Sequence, residues 1–473
     1  MAMTETDCAQ QSEEPTNPTA PFSSENADSF SNDPFFHRTD WLSFWITTVV
    51  VWLVYLFTMA PDVTLENSGL FSTGAAYAGV PDCPGLPVWT IYSWLFIKLI
   101  PFSNIAWRVT IGSTVAAALA CGMVALMVSR GGKMLLENTP TFVSRKPADQ
   151  NLLRVTCGYV AGMALGLSGT IWQEAVVVDY WALSILLFAL MLCLLMRWTG
   201  VPERRRFLYG AFFVFGLLLT SNQELIAVTP ALLLWVMLRD KKLGRDLFLV
   251  MGILVVIGWL ADNYGRYPWF DSYISRNVPL WIAFLPVAVA AVVAIIITRR
   301  IGSEQLTATF CGVFLLLGLA SYFYMPIASM TNPPINWAYP RTVEGFFHNI
   351  TRGQYEQLNP VHEVGRFIVQ LWMLTKQTGR EFGWFYLVFI ALPFCLLHRT
   401  GRSARSWMLG LTAVFICVGP VMVAALNPSV DRQTMELMLP YFSAIYVVLS
   451  VWTGLGLVVF GSVVAKPPAW SSP

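Results

Sequence analysis

The stretch NIAWRVTIGSTVAAALACGMVALMVS, residues 104–129, decides the fold class of this chain. Arg108 is its one charged residue, and the others are apolar or small uncharged residues. A helix rises about 1.5 Å per residue, so this stretch is longer than the roughly 30 Å hydrocarbon core of a bilayer. It therefore predicts a helix that crosses a membrane.

The composition of the whole chain extends that prediction. Of the 473 residues, 56% are hydrophobic and 12% are charged, whereas soluble domains are about a quarter charged. The 19 Trp, 16 Tyr and 31 Phe suit a protein with two membrane interfaces. A net charge of +2 provides no basic surplus for a nucleic-acid partner. The cysteines lack metal-ligand or CxxC spacing, so we expect them to serve as small, buried hydrophobic side chains.

Two regions are predicted along the chain. Residues 1–37 are rich in Ser, Thr, Asn, Pro and acidic residues, which predicts a disordered cytoplasmic tail. No basic segment followed by a short apolar run occurs there, so no cleavable signal peptide is expected. Residues 38–473 are predicted to form one polytopic, all-α membrane domain.

About twelve transmembrane helices are predicted by the length criterion. The clear spans are Trp41–Met59, Asn104–Ser129, Arg154–Trp172, Val176–Arg197, Pro279–Thr298, Leu306–Met325, Ser406–Leu426 and Leu437–Gly461. Shorter or broken spans are Phe207–Thr220, Leu225–Leu238, Asp246–Leu260 and Gly383–Leu397. The pair around the polar residues Ser221–Glu224 is either two short helices or one interrupted helix.

The distribution of Lys and Arg predicts the orientation. With the N-terminus inside, five successive inner loops collect the cations, and the short outer loops have almost none. Both termini are therefore predicted to be cytoplasmic. Two long segments then lie outside: the loop 60–103, whose helices Ser68–Gly79 and Val88–Ile100 are expected along the interface, and the loop 326–382.

Candidate chemistry begins in the first outer loop. Asp62, Glu66 and Asp82 lie close to a membrane exit. Such a carboxylate suits a general base for an acceptor hydroxyl or a ligand for a divalent cation against a phosphate. The structural alternative is that Asp62 and Glu66 cap the helix that follows.

Further candidates lie at other outward ends. Glu174 and Asp179 either line a cavity that faces the first loop or cap helices and pair with an external Arg. Asn332, Asn336 and Trp337 suit sugar binding, or else form a stiff aromatic turn. Cationic residues of the long loop, Arg352 among them, either hold a phosphate or lie in solvent. The triplet Asn349-Ile350-Thr351 is a formal glycosylation sequon.

Several longer strings carry a family resemblance. They are TLENSG (Thr64–Gly69), AGVPDCPGLPVWT (Ala78–Thr90), PFSNIAWRV (Pro101–Val109), ALMVSRGG (Ala125–Gly132), GLSGTIWQEAVVVDYWALS (Gly166–Ser184), TNPPINWAYPRT (Thr331–Thr342) and DRQTMELMLPYF (Asp431–Phe442). With them the chain resembles a bacterial membrane domain family, formerly of unknown function, that is related to the protein O-mannosyltransferases of the GT-C glycosyltransferase superfamily.

The resemblance implies a GT-C-like helix bundle in a bacterial inner membrane. Its relatives transfer a sugar from a polyprenyl-phosphate carrier to a protein or glycan acceptor outside the cytoplasm, using an acid of the first loop. Two short motifs of the family differ in this chain. Asn67-Ser68-Gly69-Leu70 stands where the family has Asp-Ser-Gly-Glu, and Asp82-Cys83-Pro84-Gly85 stands where it has His-Pro-Pro-Gly. Asn67 cannot act as a carboxylate base, so Glu66 becomes the first candidate.

The leading hypothesis is therefore a membrane glycosyltransferase with Glu66, Asp62 and Asp82 as catalytic candidates. Its predicted substrate-binding residues are Glu174, Asp179, Asn67, Arg108, Asn332, Asn336, Trp337 and Arg352. No metal ligands are predicted. The sequence does not decide whether a divalent cation serves as a cofactor. The alternatives are a catalytically silent paralogue that binds the lipid carrier or a partner protein, and a transporter or flippase. No repeated halves of the kind common in transporters are found.

Overall fold

The structure is a computed structural model that describes residues 34–65, 67–264, 303–353, 359–431 and 438–464. The chain divides into two units, residues 1–37 and 38–473. The first unit coincides with the predicted tail, and residues 1–33 of it lie outside the described residues.

Regular structure in the described residues is helical, as the sequence predicts. The helices up to residue 264 are α1 (Arg38–Thr58), α2 (Ser68–Ala76), α3 (Pro87–Leu99), α4 (Ile105–Leu136), α5 (Pro140–Val143), α6 (Pro147–Gly166), α7 (Gly169–Ala175), α8 (Trp181–Gly200), α9 (Arg206–Leu219), α10 (Thr229–Arg239) and α11 (Lys241–Tyr264). Those after residue 302 are α12 (Gln305–Leu319), α13 (Tyr324–Met330), α14 (Val343–Ile350), α15 (Val364–Phe382), α16 (Trp384–Leu387), α17 (Ala391–Cys395), α18 (Arg402–Ile416), α19 (Met422–Leu426) and α20 (Ser443–Val464).

Short 3₁₀ turns and one π turn connect some of these helices. The 3₁₀ turns are Gln223–Val228, Ala320–Phe323, Val388–Ile390 and Leu439–Phe442, and the π turn is Cys417–Val421. The first of them separates α9 from α10, so the segment around Ser221–Glu224 consists of two short helices.

Six helical stretches of the described residues are long and apolar enough to cross a membrane. They are Arg38–Thr58, Ile105–Leu136, Trp181–Gly200, Gln305–Met330, Arg402–Leu426 and Leu439–Val464. A seventh span results if α6 and α7, which meet at a bend of 71°, are counted together. The chain is thus a multi-pass membrane protein. About twelve crossings stay a prediction, and the predicted span 279–298 lies outside the described residues.

The long helix α4 forms the centre of the bundle, where it packs against α1, α6, α8 and α20. Small residues let α6 approach α4 closely. A Cβ atom at Gly158 would lie 2.7 Å from the carbonyl oxygen of Ala125, and one at Gly162 would lie 2.7 Å from that of Cys121. Small residues four apart are a common means of helix packing in membranes.

Basic residues of several predicted inner loops gather at one end of the bundle, which we call the cationic end. Buried Arg154, in the first half of α6, pairs with buried Asp40 of α1. The Arg145 guanidinium donates to the carbonyl of Ser462, at the end of α20, over 2.7 Å. Arg402 likewise donates to the carbonyl of Arg239 over 3.2 Å. These contacts join loops that the charge pattern assigns to one side.

The two predicted outer loops meet at the opposite end. Val80 of the first loop forms a parallel bridge with Asn336 of the long loop. The amide of Val80 donates to the carbonyl of Ile335 over 3.1 Å, and the amide of Trp337 donates to the carbonyl of Val80 over 3.0 Å. The predicted helices of the first loop are present as α2 and α3.

Candidate functional site

A cavity of about 260 Å³ lies at the end of the bundle that carries the two outer loops. Its wall is formed by the first loop, by α7 and the start of α8, by the turn after α14 that carries Arg352, and by the 3₁₀ turn Leu439–Phe442. Its lining residues are Asn67, Phe71, Asp82, Cys83, Thr170, Gln173, Glu174, Asp179, Tyr180, Trp181, Arg352, Leu439, Pro440 and Tyr441.

A tight turn places Asp82 at the cavity. The amide of Gly85 donates to the carbonyl of Asp82 over 2.6 Å, and the Asp82 carboxylate accepts from the amide of Cys83 over 2.7 Å. Gly85 has a φ of +99°, and a Cβ atom there would lie 1.9 Å from the sulfur of Met325. A side chain at this position would therefore both strain the turn and displace the side chain of Met325.

Aromatic packing fixes the first loop against α8. The ring of Phe71 on α2 lies 5.3 Å from that of Trp89 and 5.9 Å from that of Tyr180, in edge-to-face arrangements. The Trp89 indole also donates to the carbonyl of Asp179 over 3.0 Å. These contacts hold α2 and α3 of the first loop against the backbone of Asp179 and the ring of Tyr180.

The bend between α6 and α7 brings Glu174 into the cavity wall. The Glu174 side chain is 7% exposed. At the start of α7 the carboxylate of Glu381, from α15, accepts from the Thr170 hydroxyl over 2.7 Å and from the Thr170 amide over 3.3 Å. The end of α15 therefore determines where the short helix begins.

Arg352 provides the cationic wall of the cavity. Its guanidinium forms an ion pair with Glu224 and a hydrogen bond with Tyr441. Burial alone would lower the pKa of Arg352, but the carboxylate of Glu224 and the contact with Tyr441 raise it above its ordinary value. The residue is therefore a permanent cation at the cavity.

Tyr180 is a neutral hydroxyl in the same wall. Burial raises its pKa well above the ordinary value, and the nearby Tyr441, Glu224 and Asp179 raise it further, against the opposing effect of Arg352. The ring of Trp181 stacks on that of Tyr180 at 4.7 Å and meets that of Tyr441 at 4.8 Å. Such aromatic faces beside carboxylates and amides are suited to bind a sugar ring.

The structure brings five of the predicted site residues to one cavity. They are Asn67, Asp82, Glu174, Asp179 and Arg352. Glu66, the first catalytic candidate, lies outside the described residues. Asp62 is exposed and accepts from the amide of Val63 over 2.7 Å, which is a local turn contact away from the cavity lining.

Four other predicted binding residues also lie away from the cavity lining. Arg108 donates to the backbone carbonyls of Ile97, Phe102 and Ser103, so it stabilises the turn between α3 and α4. Asn332 accepts from Arg341 over 2.9 Å. Asn336 and Trp337 belong to the bridge with Val80, so they tie the two outer loops together.

The sequon residue Asn349 is fully buried, and its amide donates to the carbonyl of Trp337 over 3.2 Å. The folded chain therefore does not present this side chain for glycosylation. Among the described residues, no group of three or more His, Cys, Asp or Glu side chains is placed to hold a metal ion.

Sequence reasoning did not single out the aromatic part of the cavity. Tyr180 and Trp181 lie inside the quoted string Gly166–Ser184, and Tyr441 lies inside Asp431–Phe442. In the first string, Asp179 directly precedes Tyr180 and Trp181, which is a signal that the sequence contains; in the second, Tyr441 lies between Pro440 and Phe442 with no acid beside it. No sequence signal links Glu224 to Arg352, because the two residues are 128 positions apart.

Fold and cavity together define an all-α, multi-pass membrane protein with a polar, aromatic-lined cavity at one end of the bundle. Residues 67–245 match the family model "Protein O-mannosyl-transferase TMEM260 N-terminal domain". Protein O-mannosyl-transferase TMEM260 of Mus musculus is 25% identical over 234 residues, which are 48% of this chain and 30% of the mouse protein. The aligned part thus spans less than a third of that curated relative. The chain is related to the protein O-mannosyltransferases.

Proposed function

We propose that the protein is a GT-C-type glycosyltransferase that moves a sugar from a polyprenyl-phosphate carrier to a protein or glycan acceptor. The observation that carries this proposal is the convergence of Asp82, Glu174 and Asp179 with Arg352 on one aromatic-lined cavity. The three acids, Asp82 in the first outer loop and Glu174 and Asp179 in α7 and the turn after it, all lie within the matched range 67–245. An acid and a cation on either side of a sugar site are the groups that such a transfer requires.

The reaction follows from general chemistry. The acceptor hydroxyl oxygen bonds to the anomeric carbon of the sugar, and the bond from that carbon to the phosphate oxygen breaks. The hydroxyl proton passes to a carboxylate, which acts as general base. The departing polyprenyl phosphate takes the electron pair, and the positive charge of Arg352 stabilises the negative charge that it gains.

Four carboxylates are candidates for the base. Glu66 lies directly beside the cavity residue Asn67 in the sequence, while Asp82, Glu174 and Asp179 line the cavity itself. Of these, Glu174 is buried in the short helix α7, and Asp82 belongs to the tight turn of the first loop. Asp82 and Glu174 are therefore the variants to test beside Glu66.

The orientation forms part of the proposal. The protein lies in the inner membrane of a bacterial cell with both termini in the cytoplasm, and the cavity opens on the other side. The gathering of cationic loops at the end opposite the cavity supports this placement. It would bring the cavity to the face where a lipid-linked sugar awaits an extracytoplasmic acceptor.

Sugar transfer tests the proposal directly. Membranes that contain the protein are supplied with a radiolabelled polyprenyl-phosphate mannose, and label in the protein and glycan fractions is measured. The variants Glu66→Gln, Asp82→Asn and Glu174→Gln identify the base, since loss of a general base lowers turnover by roughly 10²–10⁴-fold. The exposed Glu344→Gln provides a matched control. Absence of transfer by the wild-type protein with every polyprenyl donor tried would refute the proposal.

A catalytically silent relative is the second candidate, and Asn67 favours it. Asn67 lies in the cavity lining at the place where the resembled family carries an acid, and an amide cannot accept the proton. In that case the cavity binds the lipid carrier without transfer. Activity that first appears in Asn67→Asp with Leu70→Glu would support this reading, and transfer by the wild-type chain would reject it.

A further inference from the structure

The polar segment Ser221–Glu224 interrupts an apolar stretch, and the proposed chemistry does not use it. It lies between α9 and α10, and Ser221 and Asn222 are 1% and 4% exposed. Burial of polar side chains in an otherwise apolar region costs free energy unless they form specific contacts. The contacts of the next two residues indicate the purpose of the interruption.

Gln223 and Glu224 hold the same distant segment at two points. The amide of Gln223 donates to the carbonyl of Ile350 over 2.9 Å and to the hydroxyl of Tyr322 over 3.0 Å. The carboxylate of Glu224 pairs with the guanidinium of Arg352. One residue thus fixes the backbone just before Arg352, and its neighbour fixes the Arg352 side chain.

The backbone of Arg352 is also tightly constrained. Its φ of +54° is left-handed, a conformation that non-glycine residues rarely adopt. The amide of Arg352 donates to the carbonyl of Asn349 over 3.1 Å, and that of Gly353 donates to the carbonyl of His348 over 2.9 Å. The side chain therefore leaves the end of α14 in one direction, towards the cavity that it lines.

The ion pair is only partly open to solvent. The side chains of Arg352 and Glu224 are 23% and 13% exposed. A long cationic side chain that lost its carboxylate partner in such a place would turn towards water. Glu224 keeps the Arg352 guanidinium from turning away, because its carboxylate compensates the positive charge of Arg352. The guanidinium therefore stays beside Tyr441 and the neutral hydroxyl of Tyr180.

We infer that Glu224 is a positioning residue, which with Gln223 holds the Arg352 guanidinium at the cavity to receive the phosphate of a lipid carrier. This inference rests on the proposed function, in which Arg352 stabilises the departing phosphate. It assigns a role to the Ser221–Glu224 interruption: the break between α9 and α10 places an amide and a carboxylate against the 350–352 turn.

Binding of a polyprenyl monophosphate without sugar tests the inference independently of catalysis. The purified protein is titrated with this lipid in detergent micelles, and the same preparations are assayed for the KM and kcat of the mannose donor. Glu224→Gln should weaken lipid phosphate binding about tenfold, the loss expected for one charge-assisted contact, and should raise KM more than it lowers kcat. Glu224→Asp keeps the charge and should recover most of the affinity. Glu344→Gln, an exposed position before the same turn, should bind as the wild type does.

A double-variant comparison separates positioning from a general effect on folding. Arg352→Gln alone should weaken binding, and Glu224→Gln should weaken it no further in that background, because Glu224 acts through Arg352. Unchanged or tighter binding by Glu224→Gln, or a further tenfold loss in the Arg352→Gln background, would overturn the inference. A wild-type protein that binds the lipid phosphate but transfers no sugar would refute the transferase proposal and leave the inference standing.

Discussion

At the scale of single residues, the cavity depends on carboxylates that act as structural acceptors as well as on those that line it. Glu381 shows this clearly. Its carboxylate accepts from the hydroxyl and the amide of Thr170 and from the side-chain amide of Gln377 over 3.2 Å. A Cβ atom at Gly169 would lie 3.3 Å from the same carboxylate, so the start of α7 fits closely around it.

Replacement of Glu381 by Gln should destabilise the protein through Thr170. An amide retains the shape but loses the charge that strengthens both hydrogen bonds. We expect Glu381→Gln and Thr170→Val each to lower the free energy of unfolding, and the double variant to lose about 1 kcal/mol less than the sum of the two. Unfolding in mixed detergent micelles measures this. Glu344→Gln is the matched control, and strictly additive losses would contradict the proposed contact.

At the scale of secondary-structure elements, α15 divides its surface into three faces. Gln370, Leu374 and Thr378 recur at intervals of four residues and are buried against the bundle. Val364, Ile368 and Trp372 recur at the same interval and are 73%, 59% and 63% exposed. Exposed cationic residues occupy the remaining face: Arg366, Lys376 and Arg380. A helix with an apolar stripe beside a cationic one is typical of helices that lie in the membrane interface.

We therefore expect α15 to lie in the plane of the bilayer, with Ile368 in the acyl region and Lys376 in the headgroup region. Nitroxide labels on Ile368→Cys and Lys376→Cys, in a chain with Cys8 and Cys395 replaced by serine, measure this by their accessibility to oxygen and to an aqueous nickel complex. Of the cysteines that the structure describes, Cys395 is the exposed one. Equal accessibility of both labels to the nickel complex would show that α15 lies in water.

At the scale of the whole molecule, the sequence predicts the type of secondary structure better than the tertiary contacts between its elements. Hydrophobic length predicts the helical, multi-pass character that the described residues show. About twelve crossings, and the orientation drawn from cation spacing, stay predictions. Length alone could not predict the 71° bend between α6 and α7, since the apolar stretch runs through it. Nor could it predict the pairing of Glu224 with Arg352, which arises only when the break between α9 and α10 meets the long outer loop.

In the candidate site too, the sequence shows which residue types are present, and the fold shows which of them come together. The residues that converge, such as Asp82 and Glu174, lie in strings that the family resemblance brings to attention. Arg108 has the chemistry of a phosphate ligand but donates to three backbone carbonyls instead. A sequence shows that a guanidinium is present, and only the fold shows which acceptors reach it first.

The proposed chemistry also depends on the orientation of the whole bundle. It requires the cavity to lie outside the cytoplasm and the cationic end to lie on the opposite, cytoplasmic side of the membrane. Asp62 and Lys146 are exposed residues of the first loop and of the α5–α6 connection. In the chain with Cys8 and Cys395 replaced by serine, a membrane-impermeant maleimide applied to intact cells should label Asp62→Cys. It should label Lys146→Cys only after the membrane is permeabilised, since the loop with Arg145 and Lys146 follows the positive-inside rule. The opposite pattern would place Asp82, Glu174 and Arg352 on the cytoplasmic side, away from any extracytoplasmic acceptor.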